Sequence, residues 1–252
     1  MKPFAAAATL LMIAAPLLAQ AEPPLVRAIL PVVGSTAGAF GSNFKTGVQL
    51  HNRGEETMRG VLVFHAQGAP AAAGDPSAAY ELAPKQTLAF EDLVASMGAS
   101  GLGSLDVIPT EGGIPAVVAR AYDDRAESGT AGATIRLVDP RDALVPGSRG
   151  LLVLPASLEQ FRFNVGVRSL DAGATLRMTV YGQSGIARHT AERSYAAHLF
   201  EQRAANDFLG TTILANESVD IEVLAGSAIV YGTTTDNVSN DPSVQNVAVI
   251  EP

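Results

Sequence analysis

The amino-acid sequence predicts an all-β protein, made of a unit that occurs twice behind a removable N-terminal segment. Three observations predict it. An apolar N-terminal run ends in small residues; two long stretches of the chain match each other in order; and their apolar residues alternate with polar ones at a period of two. The chain has 252 residues, with 47% hydrophobic and 17% charged, which is enough apolar material for one large domain or two small ones. It has no Cys and no Trp, so disulfides, thiolate nucleophiles and Cys-ligated metals are excluded. A formal charge of −8 is wrong for a protein that grips nucleic acid, which needs clustered Lys and Arg to neutralise phosphates.

Residues 1–21 read as a secretory signal peptide. Lys2 supplies the positive start, Phe4 to Leu18 is apolar apart from Thr9, and Ala19-Gln20-Ala21 offers small residues at the two positions a signal peptidase inspects. Cleavage after Ala21 is expected, with a secreted or periplasmic product. It removes one of the 17 basic residues and none of the 25 acidic ones. The apolar run is shorter than the roughly 20 residues a membrane anchor needs, and no later stretch is long and apolar enough to span a bilayer.

The remainder repeats once. Phe44-Lys45-Thr46-Gly47-Val48-Gln49-Leu50 lies over Phe161-Arg162-Phe163-Asn164-Val165-Gly166-Val167, Phe90-Glu91 over Phe200-Glu201, and Ile135 to Pro140 over Val247 to Pro252. The boundaries that follow are a first domain over 22–140, a linker over 141–150 containing Pro146, Gly147, Ser148 and Gly150, and a second domain over 151–252.

Each unit consists of short strands. Phe161, Phe163, Val165 and Val167 alternate with Arg162, Asn164, Gly166 and Arg168, as in a strand with one wet face. Leu176, Met178 and Val180 form a second strand after a polar turn over Ser169 to Gly173, and Asn52 to Glu56 is the corresponding turn in the first unit. Ser104 to Ile108, Pro115 to Tyr122, Ser218 to Leu224, Ala228 to Thr235 and Asn246 to Ile250 complete the strand set. Helical patterning is scarce, and Glu91 to Met97 and Glu201 to Leu209 are its best candidates. About seven short strands in roughly 100 residues is the pattern of an immunoglobulin-like sandwich, here two in tandem, antiparallel, without the Cys–Trp–Cys signature.

The phrase Phe44 to Asn52, the segment Leu82-Ala83-Pro84-Lys85-Gln86-Thr87 and the ending Tyr231 to Pro242 resemble a group of exported bacterial proteins built from tandem immunoglobulin- or fibronectin III-like sandwiches. The resemblance rests on strand and turn motifs. It implies fold and export, and no catalytic residues.

No catalytic motif emerges. His51, His65, His189 and His198 form neither H-x-H nor H-E-x-x-H, and His51 and His65 read as polar-face or strand-end residues. Gln183-Ser184-Gly185 lacks the first Gly of a nucleophile elbow and reads as a hairpin turn. Asp106 and Asp220 sit on matching strands and read as solvent-facing carboxylates. The metal candidate is the loop containing Asp236, Asn237, Asn240 and Asp241, whose oxygens suit calcium; the same residue types make tight turns, which is the simpler reading, and Asp123, Asp124 and Glu127 at the equivalent place read the same way. No cofactor is expected. The expected function is a non-enzymatic one in adhesion, envelope structure or protein–protein interaction, with a protein or cell-envelope partner. The alternatives are an exported hydrolase with a site between the domains and a periplasmic protein resembling pilus chaperones.

Overall fold

The computed structural model describes residues 26–125 and 130–250. The segment read as a signal peptide lies outside them, as does Glu127.

The fold is all-β, with two antiparallel sheets. The first contains β1 (Ala28–Ala37), β2 (Asn43–His51), β3 (Met58–Ala66), β4 (Ser77–Leu82), β5 (Thr87–Phe90), β6 (Gly101–Glu111), β7 (Ala116–Asp123) and β8 (Gly132–Ile135). The helical turn α1 (Leu93–Ser96) follows β5. The order is β4-β3-β6-β1-β2-β7-β8, with β5 added on β2. β1 joins the two groups of strands: its first half pairs with β6 and its last residues pair with β2. The ladder with β6 shifts register between Leu30 and Val33, across Pro31, which has no N–H to offer.

The second sheet contains β9 (Arg149–Val153), β10 (Phe161–Tyr181), β11 (Ala187–Tyr195), β12 (Phe200–Ala204), β13 (Ser218–Asp236), β14 (Pro242–Asn246) and β15 (Ala248–Ile250), with α2 (Ala205–Leu209) after β12. Two differences from the sequence reading have physical causes. Ser169 to Gly173 does not break the chain into separate strands, and neither do residues 225–227: β10 and β13 run through as long bent strands. The bend is made by Gly173 and Gly226, both with φ near +69°, packed so closely that a Cβ on Gly226 would lie 2.0 Å from the Gly173 carbonyl oxygen. The pattern from Glu201 is helical only from Ala205, because Phe200 to Ala204 pairs with β10.

Strand pairing also revises one detail of the internal match. Phe90 lies opposite Val48, whereas Phe200 lies opposite Arg168 and Val165 opposite Arg203. With Val48 set over Val165, Phe90 therefore corresponds to Arg203 and not to Phe200. The segment 141–150 is likewise more than a connection. Leu144 is buried in the second apolar cluster and exchanges backbone hydrogen bonds with Ala228, and Arg149 already begins β9.

Each sheet has its own apolar cluster. Leu30, Leu50, Leu62, Phe64, Leu105 and Val107 belong to the first, and Val165, Val167, Leu176, Met178, Val219 and Ile221 to the second. The two are not separate bodies of packing. Phe200 and Tyr231, from β12 and β13, are fully buried within the first cluster, and a third cluster joins Ile29 and Val138 to Leu170 and Ile229. The faces that meet are those turned away from each unit's own core: Ile29, His65, Ser104 and Asp106 on one side, and Gly166, Arg168, Phe200, Ile229 and Tyr231 on the other.

Candidate functional site

Where those faces meet, the structure closes over a group of charges. Arg168, with no exposed surface, donates from Nη2 to Asp106 at 3.2 and 3.4 Å and from Nη1 to the Ser169 carbonyl at 2.9 Å. Arg27 Nε lies 3.5 Å from the Asp106 carboxylate, and its Nη2 donates to Asp171 at 2.6 Å. His65 stands between two carboxylates, with Nδ1 2.6 Å from Asp75 and Nε2 3.4 Å from Asp106. His198, held at φ +55°, places Nε2 3.3 Å from Asp171.

Burial alone would push the Asp106 carboxyl up, but the His65 contact and the charges of Arg168 and Arg27 outweigh it and hold it below its ordinary value of 3.8. His198 moves down from 6.5, first because it is partly buried and then because Arg168 and Arg27 repel a third cation. The arrangement can hold two sheets together. It offers little to a substrate, since Asp106, Arg168, Arg27 and His65 all have side chains at most 8% exposed. Arg27 Nε, His65 Nε2, Arg168 Nε and Ser104 Oγ are buried without a hydrogen-bond partner, so the cluster's net contribution is sensitive to any change in its charge balance.

Along β10 the same face opens. Gly166 is covered by the Tyr231 ring, and beyond it Asn164 and Arg162 line a cleft of about 350 Å³ between the sheets. Val32, Leu102 and Ile135 form its apolar wall, while Gln202, Thr233 and Asn164 supply polar groups opposite. Tyr231, fully buried, donates to Gln202 Oε1 at 2.8 Å, and burial raises its phenol well above 10.

The loop read as a calcium candidate borders this cleft, and an arginine occupies its oxygens. Asp236 Oδ1 accepts from the amides of Val238 and Ser239 at 2.8 Å each. Arg162 donates to Asn240 Oδ1 at 2.7 Å, to Asn237 Oδ1 at 3.4 Å and to the Asp236 carbonyl at 3.2 Å. Asn240 is buried at φ +57°, a conformation Asn tolerates, and Asp241 is exposed with its amide bonded to Ser239 Oγ. The side chains sort into a cation-bearing tight turn. Among the described residues, no three His, Asp or Glu side chains gather to hold a metal ion.

The remaining candidates separate. Asp106 and Asp220 are both buried, not solvent-facing: the first is covered by the opposite sheet, and the second is paired with Arg149. His65, read as a polar-face residue, is buried in the charge cluster because that face is covered. His51 bonds the Thr87 hydroxyl of β5 at 2.9 Å and His189 the Leu209 carbonyl at the end of α2 at 3.0 Å. Ser184 lies in the turn between β10 and β11, where the Gly185 amide donates to the Gly182 carbonyl.

Arg27, Arg162 and Arg168 were not singled out by sequence reasoning. A signal existed nonetheless. Ala228-Ile229-Val230-Tyr231 is apolar at four successive positions, the mark of a strand covered on both faces, and Ala28 to Val33 is the same.

Fold and junction together define an all-β protein of two antiparallel sheets joined face to face through buried charge. No protein-family model, curated protein or solved structure matches the chain.

Proposed function

We propose that this chain is an exported, non-enzymatic protein of two tandem immunoglobulin-like sandwiches that works by binding a protein or cell-envelope partner, in adhesion or envelope structure. One observation carries the reading: at the closed end of the junction the charged side chains Arg168, Arg27, Asp106 and His65 are turned on one another and are at most 8% exposed. Arg168 reaches across to Asp106, and Phe200 and Tyr231 of the second sheet are buried within the first apolar cluster. A junction closed in this way suits a spacer or presenting scaffold, while a hydrolase needs its carboxylates reachable by substrate. The signal-like N terminus supports export, and the matching antiparallel pairing of β2 with β5 and β7, and of β10 with β12 and β13, supports a duplicated sandwich. Capture of a partner strand, as pilus chaperones do, would need a free sheet edge at the cleft. The edge there, β8, is flanked by β14, whose Val244 packs on the first apolar cluster.

The test is a reciprocal pull-down from an envelope fraction with the mature chain, 22–252, as bait, together with N-terminal sequencing of the natural product. A partner recovered in both directions and a first residue of Glu22 are expected. Reproducible recovery of none, or an uncleaved cytoplasmic product, overturns the proposal.

A further inference from the structure

The open end of the junction differs from its sealed end in one respect that points to a ligand. Arg168 is matched by a carboxylate, whereas Arg162, half-buried at the cleft, makes its contacts only to neutral groups: the Asn240 and Asn237 side-chain oxygens, the Asp236 carbonyl and the Phe40 ring, whose centroid lies 5.4 Å from the guanidinium carbon. No carboxylate lies within ion-pair distance of it among the described residues.

Asp123 and Asp236 act on Arg162 from further away, and Arg125 opposes them. Both carboxylates are already engaged. Asp123 accepts from the Asn43 amide at 2.8 Å and pairs with Arg125 at 3.4 Å, and Asp236 caps its own turn. Beside this cation the opposite wall presents Val32, Leu102 and Ile135 together with the polar Thr46 and Gln67, and the cleft's volume of about 350 Å³ is within the range of small-molecule sites, roughly 300–1,000 Å³.

We infer that the cleft between the sheets binds a small organic monocarboxylate, with its head on Arg162 and an apolar body against Val32, Leu102 and Ile135. The chain's net negative charge does not forbid this. Exposed charges beyond about 8–10 Å are screened at physiological salt, while a contact in a half-buried cleft is screened far less. The inference is independent of the partner-binding role proposed above, since a partner that docks elsewhere leaves this cleft open.

The probe is decanoate, titrated calorimetrically into the mature protein below its micelle concentration, with decanol and acetate as the tail and the head alone. Decanoate is expected to bind at one site, and decanol and acetate at least about tenfold more weakly. Arg162→Gln should weaken decanoate roughly tenfold or more while leaving decanol unchanged. Ala133→Trp, which adds bulk to the cleft from β8 and leaves Arg162 in place, should abolish both. Circular dichroism of each variant keeps a folding defect distinct from a binding defect. The inference is overturned if decanoate gives no heat with the folded wild type, if decanol binds as tightly as decanoate, or if folded Arg162→Gln keeps the wild-type affinity.

Discussion

Arg168 of the second sheet donates two hydrogen bonds to Asp106 of the first, across a junction where neither side chain is more than 4% exposed. Removing Arg168 takes a fully buried donor from Asp106 and leaves it only the longer contacts with Arg27 and His65, in a medium that solvates charge poorly. Arg168→Met should therefore lose about 3–5 kcal/mol in urea unfolding. Arg168→Met with Asp106→Leu should lose less than the two single changes added together, because the interaction between the two is then lost once and not counted twice. Additive losses would mean that the pair is not coupled.

Acid should loosen the junction in two stages. The folded His198 pKa is depressed, so as pH falls below 6.5 the unfolded chain takes up a proton that the folded one resists, and stability declines. The folded Asp106 pKa is also depressed. Its contribution is present in full above 3.8 and is lost as pH falls through the lower folded value. Denaturation midpoints measured across pH should show both stages, His198→Gln removing the first and Asp106→Asn the second.

Phe200 is fully buried in a cluster made largely by the other sheet. Phe200→Ala should cost about 3–5 kcal/mol, and near- and far-ultraviolet dichroism of the wild type should report one shared transition. The fragment 22–140, which lacks Phe200 and Tyr231, should unfold at markedly lower denaturant than the whole chain.

Gly226→Ala places a Cβ about 2.0 Å from the Gly173 carbonyl oxygen at a φ of +69°. Strain and overpacking together predict a loss of about 2–5 kcal/mol by thermal unfolding. Gly74→Ala, with open space around its Cβ position and no positive φ, is the control and should change little.

Calcium and chelator should leave the melting temperature unchanged, because the Arg162 guanidinium already takes the Asn237 and Asn240 oxygens. A rise of several degrees with calcium would show that the loop rearranges to release that arginine.

Within each sheet the strands were largely legible, because alternation reports local geometry. Phe163, Val165 and Val167 face their core as their spacing predicts, and Leu176, Met178 and Val180 do the same after the bend. The candidate site was barely legible. Parity assigns Asp106, His65 and Arg168 to the face away from the core but is silent on what covers that face, so a buried ion pair and a solvated one look identical in sequence. The continuity of β10 and β13 was hidden for a related reason: Ser169 to Gly173 has a turn's composition, and only the approach of Gly226 makes it a bend.

The sequence by itself determined the β class, the inward residues of the alternating strands and the absence of any Cys-based chemistry, since all of these depend on residues near one another in the chain or on composition. Only the tertiary structure decided that the outer faces of the two sheets are pressed together, that Arg168 finds Asp106 and that Arg162 is left beside an open cleft with neutral partners. Those outcomes depend on contacts between residues some 60 or more positions apart, such as Arg168 and Asp106, and nothing local encodes which charge a distant strand will bring.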